Sequence, residues 1–249
     1  MEWSEDGIVV GVRRHGEADA IIEVLTAGHG RHLGLVKGGR SRRLRPVIQP
    51  GNTLALTWRA RLDEHLGNFR VEPVTERSTA LMASGVAAFG LALAGAHLRL
   101  LPERDPHPRL FDALAALVDC FDRPALAAEL MVRFELLLLD EMGFGLDLES
   151  CAATGRRDEL VYVSPRSGRA ISRDAGLPYA DRLLPLPAFL REAPGQAHSG
   201  VGVPEGFLLT GYFLERYVFD GRGEGLPEVR LSFLRAIRSA AEPAPIGSD

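Results

Sequence analysis

Residues 32–58 read HLGLVKGGRSRRLRPVIQPGNTLALTW, and this stretch decides the predicted fold. The runs 32–36 and 53–58 have the composition of β-strands, and the second alternates polar with apolar residues, as a half-buried strand does. The segment 38–52 between them is long and contains glycine and proline. A five-stranded OB-fold has its longer connection between strands three and four, so this stretch predicts the middle of such a barrel.

The sequence on either side supplies the other strands. Residues 8–12, 20–25 and 66–74 are further β-rich runs, separated by glycine-containing turns. Five short strands with such turns within residues 1–77 predict a small closed barrel. We therefore predict that 1–77 is an OB-fold domain.

After residue 77 the apolar residues recur at helical spacing. Helices are predicted near 78–99, 109–121, 124–142, 180–192, 204–219 and 227–240, with Ser78 capping the first. The segment 147–180 is loop-rich, with at most a short hairpin. The predicted class is α+β: an N-terminal five-stranded OB-fold barrel, a mostly helical domain 78–240 with an irregular insert at 147–180, and a flexible tail 241–249.

The net charge is −4, from 29 basic and 33 acidic side chains, yet residues 31–45 contain six basic residues and no acid. Such a segment attracts polyanions, and its glycines let the backbone approach a phosphate closely. We predict a nucleic-acid-binding loop that Arg59 and Arg61 extend; the alternatives are a solvated loop or one neutralised by acids elsewhere. The six are Arg31, Lys37, Arg40, Arg42, Arg43 and Arg45.

Two strand aromatics, Trp58 and Phe69, are candidate base-stacking platforms. Aromatic residues that alternate along a strand are more often part of a core, however. We therefore favour the core interpretation for both.

Signals of other protein classes are weak. Nucleophile-elbow and phosphate-loop motifs are absent, and the histidines show no metal spacing, so we predict that the chain is not an enzyme. Two cysteines, Cys120 and Cys151, cannot form a disulfide framework, which favours a reducing cytoplasm. No apolar run is long enough to span a bilayer, and the acidic N-terminus is unlike a signal peptide.

Several stretches resemble, in the expected order, the bacterial recombination-mediator family RecO. Together they cover most of the chain. They are Gly7-Ile8-Val9-Val10, His15-Gly16-Glu17, Ala20-Ile21-Ile22, Gly28-His29-Gly30, Leu35-Val36-Lys37-Gly38-Gly39-Arg40-Ser41, Pro50-Gly51, Leu137-Leu138, Gly143-Phe144-Gly145-Leu146-Asp147, Cys151 and Val163-Ser164-Pro165-Arg166-Ser167-Gly168.

The resemblance implies an N-terminal OB domain that binds single- and double-stranded DNA, and a protein that anneals complementary strands. It also implies partnership with RecR, contact with the acidic C-terminal tail of single-stranded DNA-binding protein (SSB), and indirect help in loading RecA. We expect a cytoplasmic, nucleoid-associated protein with no membrane partner. From charge, Arg216, Arg230 and Arg235 are candidates for docking the SSB tail.

Many members of this family carry a four-cysteine zinc motif. In this sequence Cys151 stands at the first position, while Thr154, Ser172 and Ala175 stand at what look like the other three. Zinc is bound by thiolate, imidazole or carboxylate ligands, so three missing thiolates predict that the insert binds no zinc. We predict no cofactor of any kind.

Three other functions remain open. An RNA-binding OB protein would prefer RNA over DNA in direct competition. A hydrolase or transferase with an unrecognised site would show a ligand-sized pocket with convergent polar groups and perturbed pKa values. A protein-only adaptor would not bind nucleic acid at all.

Overall fold

The computed structural model of the chain describes residues 1–62, 64–192, 200 and 202–241. Of the predicted tail 241–249, residues 242–249 lie outside the described residues. The chain forms two compact units, the first being Met1–Asp122 with Val229–Ala236 and the second Arg123–Glu228 with the residues from Ile237 onward. The first unit therefore holds helices as well as the barrel.

The first unit contains a closed barrel in which the strands follow the order β1-β2-β3-β5-β4. All neighbouring strands are antiparallel except β3 and β5, which pair in parallel. The predicted barrel is confirmed, and a short helix α1, Leu44–Val47, lies in the long connection. The strands are β1 Glu2–His15, β2 Asp19–Thr26, β3 Gly30–Val36, β4 Thr53–Arg59 and β5 Asn68–Thr75.

The two aromatic residues face the barrel interior, where Trp58 is 0% and Phe69 is 4% exposed. They are register partners on β4 and β5, and Trp58 Nε1 donates a hydrogen bond to the Leu66 carbonyl at 3.0 Å. A Cβ on Gly34 would lie 2.3 Å from the Phe69 ring, so this strand position has room only for glycine. Both aromatic residues therefore belong to the core, which confirms the favoured interpretation.

Helices α2 (Ser78–Met82), α3 (Gly85–Leu98) and α4 (Pro108–Val118) follow the barrel. The single helix predicted over 78–99 is wrong, because the chain breaks before α3 and Ser84 caps the second piece by accepting from Ala87 N–H at 3.3 Å. Ser78 is not the cap. Its backbone N–H instead donates to Asn52 Oδ1 at 2.9 Å, a tertiary bond that local sequence does not reveal.

The second unit has α5 (Pro124–Glu141) packed on α7 (Val203–Leu214), which continues through a π-helical turn, Glu215–Phe219, and a 3₁₀ turn, Asp220–Arg222. Helix α8, Glu228–Ala241, has residues 229–236 in the first unit and confirms the helix predicted at 227–240.

The predicted insert forms a small sheet of strand order β7-β6-β8. The helix predicted at 180–192 is wrong, since Pro185 and Pro187 interrupt it and leave only two 3₁₀ turns around β8. No helix in the described part of the chain is long and apolar enough to cross a membrane. The elements here are β6 Leu160–Val163, β7 Ala170–Ser172, α6 Arg173–Gly176, the turn Leu177–Arg182, β8 Leu184–Pro185 and the turn Ala188–Arg191.

Candidate nucleic-acid interface

The basic loop, residues 37–45, is folded rather than merely exposed. Its backbone turns on itself through Gly39 N–H to the Val36 carbonyl at 3.1 Å, and Gly38 has a φ of +64°, which favours glycine. Gly38 N–H also donates to the Asp19 carboxylate at 2.7 Å. These bonds anchor the loop to the barrel next to the turn between β1 and β2.

All five predicted cations of the basic loop are exposed. Arg40 Nη1 donates to the carbonyls of Gly16 and Glu17 at 3.3 and 2.6 Å, so this side chain also holds the loop in place. The other four have no ion-pair partner among the residues that the structure describes. The loop therefore presents uncompensated positive charge; these four are Lys37, Arg42, Arg43 and Arg45.

A groove of about 680 Å³ runs over the outer face of β1, β4 and β5, with the basic loop as one wall. We call it the barrel groove. Lys37 and Arg43 line it from the loop, while Thr57 and Arg59 line it from β4. Its floor is polar, since the hydroxyls of Ser4 and Thr57 lie 3.0 Å apart.

The barrel groove contains one basic residue that the sequence reasoning missed. Arg70 on β5 lines the groove and pairs with Glu72 at 3.1 Å. Its position two residues from Glu72 on an alternating strand is a signal that it faces outward. Arg59 is likewise paired, with Glu2 at 2.7 Å, and Arg61 lies with Arg59 at an adjoining depression.

Arg31 does not lie at the barrel groove. Its Nη1 pairs with Glu23 Oε1 at 3.0 Å, and its side chain is only 14% exposed. Arg99, which follows the last residue of α3, pairs with the same carboxylate at 2.5 Å. Glu23 is thus an acid that pairs with Arg31, which the absence of acids within 31–45 could not reveal. Arg31 therefore lies apart from the cations that line the barrel groove.

We expect Arg31→Ala to lower the stability of the fold and Arg43→Ala to weaken DNA binding. Loss of Arg31 removes charged hydrogen bonds from a nearly buried carboxylate, which should lower the free energy of unfolding by about 2 kcal/mol. Loss of exposed Arg43 should leave stability unchanged and weaken DNA binding. Chemical denaturation and DNA titration of both variants test this, and equal stability of the two would contradict the assignment.

Two of the other three zinc-motif positions, Ser172 and Thr154, contact buried Cys151 in the second unit. Ser172 donates its backbone N–H and its hydroxyl to Cys151 Sγ at 3.3 and 3.4 Å. Zinc requires four ligand atoms, whereas Ala175 offers no side-chain donor and the Ser172 hydroxyl is directed at the sulfur. These residues do not fit a zinc ion. The described residues also contain no cluster of three or more His, Cys, Asp or Glu side chains that could hold a metal.

The same contacts shift the pKa of the Cys151 thiol. Burial raises the pKa, but hydrogen bonds from the hydroxyls of Ser172 and Thr154 and from two backbone N–H groups outweigh it and lower the pKa to about 6. Because the folded protein prefers the thiolate, this group stabilises the fold above the unfolded-state pKa. That contribution is lost as pH falls toward about 6.

We expect the ultraviolet thiolate absorbance of a Cys120→Ser variant to titrate near pH 6. Adding Ser172→Ala should move the midpoint upward, because it removes a donor to the sulfur. A midpoint at the ordinary cysteine value in both proteins would contradict the hydrogen-bonded thiolate.

The three arginines proposed to dock the SSB tail have different surroundings. Arg230 is 6% exposed in the first unit, so it cannot rim an open pocket, and we withdraw it. Arg235 is exposed on α8. Arg216 belongs to the second unit, where it is exposed and lies over the ring of Tyr217 at 5.6 Å.

Arg216 is part of an aromatic surface. Its Nη1 donates to the Tyr212 hydroxyl at 2.8 Å and to the Pro165 carbonyl at 3.2 Å. Phe144, 37% exposed, stacks on Tyr217 with ring centroids 5.0 Å apart. We call Phe144, Tyr212, Arg216 and Tyr217 the aromatic patch.

The closed five-stranded barrel, with a groove walled by a basic loop, defines the chain as an OB-fold protein with a helical C-terminal region. Two family models match it: Recombination protein O N terminal over residues 1–77, and Recombination protein O C terminal over residues 81–224. The chain belongs to the RecO family.

Curated relatives agree with this assignment. Proteins named DNA repair protein RecO from Chelativorans sp. (strain BNC1), Sinorhizobium medicae and Brucella abortus (strain 2308) are 55%, 54% and 51% identical to the chain. The alignments cover 95%, 98% and 96% of this chain and 96%, 100% and 97% of those proteins, respectively. The chain therefore has a role in DNA repair and recombination.

Proposed function

We propose that the chain binds single- and double-stranded DNA through the basic loop and the barrel groove, and that it anneals complementary strands. The observation that carries this proposal is the exposure of Lys37, Arg42, Arg43 and Arg45 without ion-pair partners among the described residues. Cations that no acid neutralises attract phosphates and release their counterions on binding.

The chemistry of the barrel groove supports contact with the DNA backbone rather than with bases. Groove residues of β4 and β5 offer hydroxyl, amide and guanidinium groups, and the one aromatic residue among the described lining residues, Phe69, is 4% exposed. A groove without exposed rings has no stacking platform. Bases of a bound strand would thus stay free to pair.

This binding mode gives a mechanism for annealing without covalent chemistry. Positive charge held against each strand lowers the repulsion between two phosphate backbones as they approach. Base pairing then supplies the free energy. Because DNA contacts are electrostatic, the reaction requires neither a catalytic residue nor a cofactor.

The first test replaces all five cations of the basic loop, Lys37, Arg40, Arg42, Arg43 and Arg45, with alanine. We expect single-strand affinity to fall, and the slope of log affinity against log salt to become shallower by up to about 3.5, since each lost contact to a single strand removes about 0.7. Fluorescence titration of a labelled oligonucleotide over about 50 to 200 mM salt measures both quantities.

The matched control replaces Arg156, Arg157, Arg173, Arg182 and Arg191, exposed basic residues of the second unit, so that the net charge changes equally. An unchanged slope in the loop variant would place the DNA elsewhere. Equal effects of the two variants would indicate a response to net charge alone. RNA in the same titration, with tighter binding than DNA, would favour an RNA-binding protein.

We further propose that the aromatic patch docks the acidic, phenylalanine-ended tail of SSB. Apolar rings next to an exposed guanidinium suit a peptide that combines an aromatic side chain with carboxylates. The family role adds RecR as a partner, with RecA loaded onto SSB-coated single strands, in a cytoplasmic, nucleoid-associated setting.

Arg216→Ala and Phe144→Ala should each weaken binding of an SSB-tail peptide by about tenfold, because both sit in one exposed aromatic and arginine cluster. Arg235→Ala tests the remaining candidate from the sequence. Calorimetric titration of the peptide measures all three. Wild-type affinity in both aromatic-patch variants would move the tail site elsewhere.

A further inference from the structure

The barrel groove contains two carboxylates as well as its cations. Glu2 pairs with Arg59 at 2.7 Å, and Glu72 pairs with Arg70 at 3.1 Å. Both acids line the groove, as do both arginines. The two guanidiniums on the floor therefore already have anionic partners, unlike Lys37 and Arg43 in the loop wall.

The strand register makes this arrangement regular. On the outer face, Glu2 of β1 lies directly opposite Arg59 of β4, and one pairing step further Thr57 lies opposite Arg70 of β5. Glu72 follows Arg70 on the same face two residues later. Arg59 is thus next to an acid because β1 pairs with β4, and Arg70 is next to one because Glu72 follows it on the same face of β5.

These ion pairs are exposed and can exchange partners. The side chains of Arg59 and Glu2 are 70% and 49% exposed, and those of Arg70 and Glu72 are 81% and 66% exposed. Exposed pairs are worth little, because water screens the attraction and ordering two long side chains costs entropy. A phosphate can therefore replace the carboxylate on either arginine at small cost.

We propose that Glu2 and Glu72 act as built-in competitors of the DNA backbone. Arg59 and Arg70 are phosphate-binding residues that pair with these acids when no DNA is bound. The groove therefore binds a strand with lower affinity than its cations alone would give. The carboxylates set the affinity and favour release of the strand. This inference rests on the proposed function, because it assumes that DNA enters the groove.

The test is the nearly isosteric double variant Glu2→Gln/Glu72→Gln, which removes both negative charges. Binding of a labelled single strand should tighten about threefold to tenfold, because two exposed ion pairs no longer compete. The salt slope should steepen by about 1.4, from two added phosphate contacts. Thermal unfolding checks that the variant is folded; the substituted side chains are exposed, so little change is expected.

The matched control is Glu76→Gln/Asp112→Asn, which removes two exposed acids of the same compact unit outside the groove. Its affinity should stay close to that of the wild type. Equal tightening in the two variants would overturn the proposal, since it would show a general effect of net charge. Unchanged binding in Glu2→Gln/Glu72→Gln would overturn it as well.

A second comparison assigns the effect to the arginines. Adding Arg59→Ala/Arg70→Ala to the glutamine variant should abolish the gain, and a gain that persists would contradict the proposal.

The five-alanine loop variant keeps this result separate from the proposed function. One outcome is that the loop variant loses DNA binding while the glutamine variant binds DNA with wild-type affinity. That result would support DNA binding at the basic loop and would contradict the competing role of the acids. If the loop variant binds normally, the proposed function itself fails.

Discussion

The side chain of Asn52 is the contact on which the arrangement of the first unit depends. It is fully buried and donates to the carbonyls of Pro46 and Val47, at the end of the long connection after the basic loop. Its Oδ1 accepts from the N–H groups of Arg77 and Ser78, where the helices begin. One amide thus joins the base of the loop to the exit of the barrel, and an unpaired buried group there would cost stability.

Closing the barrel separates two kinds of surface. Residues that alternate inward, among them Trp58 and Phe69, build the core, while their neighbours Thr57, Arg59 and Arg70 form the groove floor. The same alternation keeps rings away from a bound strand and brings acids next to arginines. Its electrostatic consequence is a groove whose unpaired charge comes from the loop wall and whose floor is nearly neutral.

In the second unit, hydrogen bonds surround the thiol of Cys151. Cys151 remains buried, and Ser172 and Thr154 direct hydrogen-bond donors at its sulfur. The neighbouring strands β6 and β7 pair around this cluster. Hydrogen bonds and sheet pairing thus hold together a region that reads as irregular from its sequence.

The sequence by itself determined the five strands, the basic loop, the core role of Trp58 and the family, since these follow from local patterns. Only the tertiary structure decided which basic side chains have an ion-pair partner among the described residues. Arg31 is paired with Glu23, eight positions away in sequence, and Arg59 with Glu2, 57 positions away. The start of α2, at Arg77 and Ser78, is also held by distant Asn52. Ion pairs and caps of this kind join residues that are separate along the chain, so local patterns cannot reveal them.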